Sequence, residues 1–553
     1  MTPAVQSSGV ANNEDTGGTT RPNIVHILVD DFGWEQVGYH HGPEAEDVEP
    51  ITPNIDRLVS DGLELDRFYA HKICSPSRTS IQTGRSPIYA NVQNVKPEVV
   101  NEDDKVGGWQ GAPLGMATVA DVLKGQNYST HFVGKWDVGM ATESHTPYSR
   151  GYGTFFGYFH HSNDYWGQTE GKCRLKSVKD LWVHNGTFSG PAVHLANGKH
   201  CGENNQKPEG EVCVYEEELL LNGVKDVIKS HESNDGEPFF LFYSSHLTHM
   251  PLQVPEEYYN KFSHIDNDHR RRMRAMSNFF DWEVGEIVQS LKEANLYDDT
   301  LIVLHADNGG EIMTSFCGGN NYPLRGGKFS NFEGGIRVNA AVGGGWLPED
   351  RRGEKEERLV TTDDWLMTYA SIAGVDTTKL TDDGAVALGL KDFTGVDQWG
   401  VISGEEAGVV REEVIIGDTT SVEFNGDGKT LVGGIIQPPY KLILGAENKL
   451  HRVSQDVTTP QNYPDGSDRV PEAIMRKCDR TAKHGCLFNI FEDPTESNSL
   501  AAELPDIFNA MLKRIDELQE DVYSPERGKK DGRACEAAMD TYGGYWGPFV
   551  QDE

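Results

Sequence analysis

Two short acidic pairs carry the first chemical signal, Asp30-Asp31 and Asp307-Asn308. Each closely follows an apolar run, Asn23 to Val29 and Leu301 to Leu304. Adjacent carboxylates after a buried strand are costly unless something positive compensates them. Three carboxylates and one amide oxygen form a hard, all-oxygen set that suits Ca2+ or Mg2+ rather than zinc. Singly, each Asp reads as a helix or turn cap; two such pairs in one chain put a metal site level with that plainer reading. The next signal is Cys74-Ser-Pro-Ser-Arg78. Ser75 and Pro76 read as a helix start, with Ser at the cap and Pro in the first turn. Cys74 then sits at a helix N-terminus, where the dipole and free amides favour an anion, and Arg78 faces the same spot one turn on. A lone Cys in this setting is more often a buried structural thiol.

These residues need a scaffold that gathers them. The run Asn23 to Val29 is short, continuous and apolar, as a buried strand should be. Similar runs recur at Phe239 to Tyr243, Leu301 to Leu304 and Ile336 to Val342. Helical patterns lie between them, at Glu216 to Lys229 and Arg270 to Asn295. The alternation predicts an α/β fold, a large, mainly parallel sheet flanked by helices. In such sheets ligands gather beyond the carboxyl ends of the strands, which is where the acidic pairs fall. Thr361 to Ala373 reads as a helix, followed by a Gly- and Asp-rich stretch to about residue 405. Strand-like pieces at Glu413 to Ile416 and Tyr440 to Leu444, then a helix from Pro505 to Asp521, indicate a smaller C-terminal α+β subdomain. The expected organisation is a leader at 1–22, a catalytic domain at 23–405 and a smaller domain at 406–553.

Composition narrows the function. A formal charge of −36 over 553 residues excludes nucleic acid as a partner, because phosphate binding needs a dense Lys/Arg surface. No stretch reaches the roughly 20 apolar residues of a membrane helix. Met1 to Arg21 is polar and lacks the apolar segment of a secretory signal, so a signal was removed or was never there. Eight cysteines point to an oxidising compartment. Cys478 with Cys486 is an expected bridge, as are two of Cys173, Cys201 and Cys213. Setting Cys74 aside leaves an odd number, so at least one of the others stays unbridged. The sequons Asn127-Tyr-Ser and Asn185-Gly-Thr suit a secreted or lysosome-like glycoprotein.

The longer string Cys74-Ser-Pro-Ser-Arg78 through Thr83-Gly-Arg85 resembles the signature of the type I sulfatases. The resemblance spans nearly the whole chain. Gly134-Lys135-Trp136, the histidine segment Ser245 to Pro251, Gly327-Lys328 running to Gly335, and Leu487 to Glu496 are each similar to a family motif. Phe155-Phe-Gly-Tyr, Asn163-Asp-Tyr-Trp166 and the ending Tyr545 to Phe549 look closest to the arylsulfatase B branch, the N-acetylgalactosamine-4-sulfatases. The resemblance implies an alkaline-phosphatase-like sandwich and a sulfuric ester hydrolase. It implies that Cys74 becomes formylglycine through a dedicated generating enzyme. Asp30, Asp31, Asp307 and Asn308 would hold one Ca2+, with residue 74 completing the shell. Arg78, Lys135 and Lys328 would neutralise the nucleophile and the sulfate oxygens, and His249 would protonate the departing sugar oxygen.

One position departs from the family pattern. Asp137 stands where the family usually has a histidine that helps deprotonate the formylglycine hydroxyl, so Asp137 either replaces that base or shifts the pH optimum. Phe159 to Trp166 is a candidate sugar contact, its aromatics stacking on a ring while His160, His161 and Asn163 offer hydrogen bonds and Trp166 a stacking face. A packed surface loop accounts for it equally well. Arg150 and Arg270 to Arg272 are further candidates for sulfate, the latter reading better as a solvated helix face. The expected substrate is a sulfated carbohydrate, glycosaminoglycan- or algal-polysaccharide-like. The alternatives are a phosphonate or phosphodiester hydrolase of the same superfamily and a calcium-dependent sulfated-glycan-binding protein without turnover.

Overall fold

The computed structural model describes residues 21–40, 52–196, 201, 213–232, 236–312, 317–405, 411–420, 426–446 and 477–552. Nearly all of the expected leader lies outside the described residues. Among the described residues ten strands form the main sheet: β1 (Asn23–Val29), β2 (Leu63–Leu65), β3 (Ser129–Lys135), β4 (Thr154–Tyr158), β5 (Trp182–His184), β6 (Ser189–Pro191), β7 (Phe239–Ser244), β8 (Thr300–Ala306), β9 (Ala340–Gly343) and β10 (Glu354–Glu356). Their order across the sheet is β6-β5-β4-β3-β7-β1-β8-β9-β2-β10. The centre, β4-β3-β7-β1-β8, is parallel throughout. Antiparallel pairs flank it on both sides.

The central strands are apolar on both faces because both are covered. Ile24, Val25, Ile27, Leu28 and Val29 of β1 are fully buried. On one face His26 stacks on Phe242 and approaches Trp365, within the helix Asp364–Ile372. On the other, Tyr243 donates to Glu217 of the helix Glu216–Ser230. The helix Asp268–Glu293 packs against this second one.

The expectation at Ile336 to Val342 needs correction. Glu333–Ile336 is a short helix, and the strand begins only at Ala340 and runs antiparallel to β8. Apolar content there reports burial, which a turn of helix and a strand share.

A second, antiparallel sheet holds β11 (Val414–Thr419), β12 (Thr430–Gln437), β13 (Tyr440–Ile443) and β14 (Cys486–Asn489), covered by the helix Pro505–Gln519. Beyond that helix the chain returns to the first sheet's side. Lys529 and Lys530 pair with Val100 and Val99, and Cys535 bonds to Cys173 across a separation of 362 residues. The other disulfides are Cys201–Cys213 and Cys478–Cys486, while Cys317 is buried outside any disulfide.

Candidate active site

Four parallel strands end at one place and deliver most of the charged side chains there. Asp30 and Asp31 follow β1, Asp307 and Asn308 follow β8, Lys135 closes β3 and Ser244 closes β7. The backbone locks these ends together: Asp30 N–H donates to Leu247 O at 2.7 Å and Asp307 N–H to Val29 O at 3.1 Å. Cys74 is the first residue of the helix Cys74–Thr83, so the extended residue before it is Ile73 rather than the expected Ser75. Gly84 ends that helix at φ 62, a left-handed turn that glycine adopts at little cost.

The sequence-expected residues meet. The thiol of Cys74 donates to Asp30 Oδ1 at 3.4 Å. Lys135 Nζ lies 2.6 Å from Asp30 Oδ2, and Lys328 Nζ lies 2.7 Å from Asp31 Oδ2. Arg78 places Nε at 3.0 Å and Nη2 at 2.8 Å from Asp307 Oδ2, with Nη2 also 3.4 Å from Asp30. Its Nη1 donates to Lys135 O at 3.1 Å and to Ser244 Oγ at 2.5 Å. His249 Nε2 stands 3.7 Å from Asp31 Oδ2, and its Nδ1 donates to Met250 O at 2.7 Å. All of these groups are buried or nearly so.

Burial and charge set the protonation of the cluster. Burial pushes the Cys74 thiol well above its ordinary range, and Asp30 adds to this. Burial opposes the charge on Lys328, yet Asp31 together with Cys74, Glu311 and Asp30 outweighs it and holds the ammonium well above its usual range. Asp307 is raised to about 6 by burial and by Asp30, against the pull of Arg78. His249 is pushed well below the ordinary imidazole range by burial, then by Lys328 and Lys135. With Nδ1–H held by Met250 O, the neutral ring presents Nε2 toward the acidic cluster as an acceptor, and an anionic ligand would raise its affinity for a proton.

Asp137 lies just beyond β3, in a left-handed conformation at φ 53. Its Oδ1 accepts from His161 Nδ1 at 2.7 Å and from Gln110 Nε2 at 3.0 Å, and it lies 2.9 Å from Ser75 Oγ. Burial disfavours its charge, but His161, then Lys135 and Arg78, hold the carboxyl at about 2. Ser75 is in turn fixed by Asn94 Oδ1, which accepts its N–H at 3.0 Å. Asn94, Gln110 and Ser244 were not expected from the sequence. No spacing rule could flag the first two, which lie 19 and 35 residues from Ser75. Ser244, at the end of an apolar run, was within reach of the strand-end rule.

The candidate sugar loop divides. His160 is buried, with Nδ1 at 2.7 Å from Asp180 and Nε2 at 3.6 Å from Glu98. Asn163 is buried, donating to Glu216 Oε2 at 2.7 Å and to Asp180 O at 3.1 Å. Trp166 packs against Tyr215 and is 8% exposed. These three hold the loop rather than line an open surface; the His161 side chain keeps 13% exposure. Arg150 is buried and donates to Met116 O at 3.0 Å, so it caps backbone rather than meeting sulfate. Arg270, Arg271 and Arg272 are used locally, on Gly318 O, Tyr259 O and Asp268 respectively.

The sulfatase family model matches residues 22–375. Mouse arylsulfatase J is 29% identical, with 97% of this chain and 82% of that protein covered. Human arylsulfatase A is 30% identical over 66% of each chain, and pig N-acetylgalactosamine-6-sulfatase is 29% identical over 65% of this chain and 64% of its own length. Among solved structures, Ps i-CgsB in complex with k-i-k-neocarrahexaose superposes with a TM-score of 0.66 at 23% identity, covering 95% of this chain and 98% of that one. PsFucS1 sulfatase from Pseudoalteromonas sp. gives a TM-score of 0.63 at 20% identity, covering 91% and 92%. With a family match over more than half its length, the chain belongs to the sulfatase family and is a sulfatase enzyme.

Proposed function

We propose that the protein removes sulfate from a sulfated carbohydrate at the site built around Cys74, using a formylglycine made from that residue and one bound Ca2+. The observation that carries this reading is the position of Cys74: first in its helix, in contact with Asp30, with Arg78 and Lys135 on that same carboxylate and Lys328 on its neighbour Asp31.

The residues present fit a calcium ion. Asp30, Asp31 and Asp307 supply carboxylates, and Asn308 Oδ1 is buried without a hydrogen-bond partner. As placed, Asn308 turns Nδ2 toward Asp31 Oδ1 at 2.7 Å; a half-turn of the amide exchanges the two atoms and completes an all-oxygen set. Bound there, calcium supplies charge withdrawal from a sulfate oxygen. Formylglycine supplies a hydroxyl nucleophile where the buried thiol is held protonated.

The rest of the chemistry belongs to side chains seen here. Arg78, Lys135 and Lys328 stabilise negative charge on the sulfate oxygens, as cations clamp a transferring phosphoryl group. His249 delivers a proton to the departing sugar oxygen through Nε2. The generating enzyme must reach Cys74 before the chain closes around it, since the residue is 1% exposed once folded. Three disulfides and the exposed sequons at Asn127 and Asn185 favour maturation in the secretory pathway and a secreted or lysosome-like destination.

The test has two parts. The mass of the peptide holding Cys74, from protein of the native source, should show the thiol exchanged for an aldehyde. The same preparation should turn over an aryl sulfate in preference to an aryl phosphodiester and lose that activity on chelation of calcium. An intact, alkylatable thiol in an inactive protein that still binds sulfated polymer would replace this reading with the binding-protein one, and faster phosphodiester turnover would replace it with the phosphodiesterase one.

A further inference from the structure

The pair formed by Asp137 and His161 has no assigned role once the calcium ligands, the clamping cations and His249 are placed. We propose that His161, held in one tautomer by Asp137, is the catalytic base that takes a proton from the hydroxyl at position 74 when sulfate is released. The proposal rests on the formylglycine reading above.

Three observations support it. Asp137 is ionised and therefore accepts only, so the short contact of 2.7 Å requires the proton on His161 Nδ1. Nε2 is then the ring nitrogen left to exchange a proton, the arrangement in which a buried carboxylate orients a histidine for proton transfer. Next, the ring lies against the first turn of the nucleophile's helix, with Nδ1 at 3.4 Å from Ser75 Oγ, the residue after Cys74. Last, Asp137 is 0% exposed and the His161 side chain 13%, with Nε2 itself buried, so the pair is shielded from bulk water.

This revises the expectation that Asp137 itself acts as base. Its Oδ1 already serves His161 and Gln110 and lies 2.9 Å from Ser75, while Oδ2 is buried and 4.0 Å from Lys135 Nζ. A carboxylate so engaged orients; it is a poor proton acceptor at neutral pH.

The step balances without an outside reagent. The O–H bond at the residue-74 carbon breaks and its proton passes to His161 Nε2. The electron pair closes a C=O bond on that carbon, the C–O bond to sulfate breaks, and sulfate leaves with the electrons. The ring then returns its proton to solvent.

The experiment uses full-length, converted enzyme and compares wild type with His161→Ala, His161→Gln and Asp137→Asn. The expected result for His161→Ala is a loss of turnover on the order of 10²–10⁴-fold, partly restored by added imidazole. Intact mass should show a sulfate adduct on the variants after exposure to an aryl sulfate. Independently of activity, the wild-type enzyme should give a far-downfield imidazole N–H proton resonance that Asp137→Asn and His161→Ala both lack. Turnover unchanged in His161→Ala would overturn the proposal. So would a loss that imidazole does not rescue and that leaves no sulfate adduct, since His161 would then act only through packing. An intact thiol at residue 74 in an active wild-type enzyme would instead refute the formylglycine reading and the proposal with it.

Discussion

At the scale of single residues, the site depends on shape as much as on charge. Arg78 spreads one guanidinium over Asp307, Lys135 O and Ser244 Oγ, so it ties three strand ends while also reaching Asp30, the partner of the Cys74 thiol. Burial works against its charge, yet Asp307 and Asp30 raise its proton affinity further. Lysine carries the same charge on a single nitrogen and cannot span these partners. Arg78→Lys is therefore expected to cost about 10²–10³-fold in kcat, read on an aryl sulfate, with a smaller change in KM. Equal turnover in the variant would show that the charge alone is used. The same scale shows where a sequence is mute. Asp30, Asp31, Asp307, Asn308, Cys74 and Arg78 were legible because they follow apolar runs or share one local motif. The contact between Asp137 and His161 joins two strand ends through side chains 24 positions apart, and no periodicity encodes it.

At the scale of elements, the strands that position the site were the most legible part of the fold. β1, β7 and β8 are buried on both faces and so read as unbroken apolar runs. The loop after β4 left sugar contact and a packed loop level, because histidines, an asparagine and aromatics look alike whether they meet a sugar or one another. Here the chain's end supplies the missing partners. Trp546 donates to Glu170 O at 2.7 Å and its ring approaches His160, whose own charge is balanced by Asp180 and Glu98. Burial lowers His160's proton affinity, but Asp180 and Glu98 outweigh it and raise the group to about 10. A raised folded value means that the stabilisation is fully present below the unfolded value of about 6.5 and is lost as pH rises through about 10. His160→Gln should thus lower stability by about 3 kcal/mol near pH 6, as expected for breaking a buried ion pair. The gap between variant and wild type should close steadily on the alkaline side, measured as denaturation midpoints across pH. A gap independent of pH would mean that His160 acts through shape alone.

At the scale of the whole molecule, the two sheets are joined by a buried ionic contact close to the site. Lys441 of β13 reaches Glu333 at 2.9 Å and Glu496 at 3.0 Å, and all three side chains are fully buried. Glu496 also accepts from Glu333 N–H at 2.6 Å, so the C-terminal motif Leu487 to Glu496 ends against the Lys328 loop of the first sheet. That connection was legible only as two separate motifs; the cation between them sits in an ordinary strand and has no signature. The loop carries Lys328 to Asp31, which makes the second sheet a support for the charge balance around Asp31. Lys441→Met leaves two buried carboxylates facing each other, with Arg337 standing 3.9 Å from Glu333 and already paired with Asp66. It should cost about 3–5 kcal/mol of stability and lower activity as the Lys328 loop loosens. Glu333→Leu, Lys441→Met and Glu496→Leu combined remove these three charges at once, leave Arg337 its partner Asp66, and should recover much of that stability, because apolar packing replaces a desolvated ion cluster at little net cost. Denaturation midpoints of the single and triple variants decide between the two accounts. Recovery in the triple variant assigns the loss to uncompensated charge, whereas an equal or larger loss means that the polar contacts themselves set how the two sheets meet.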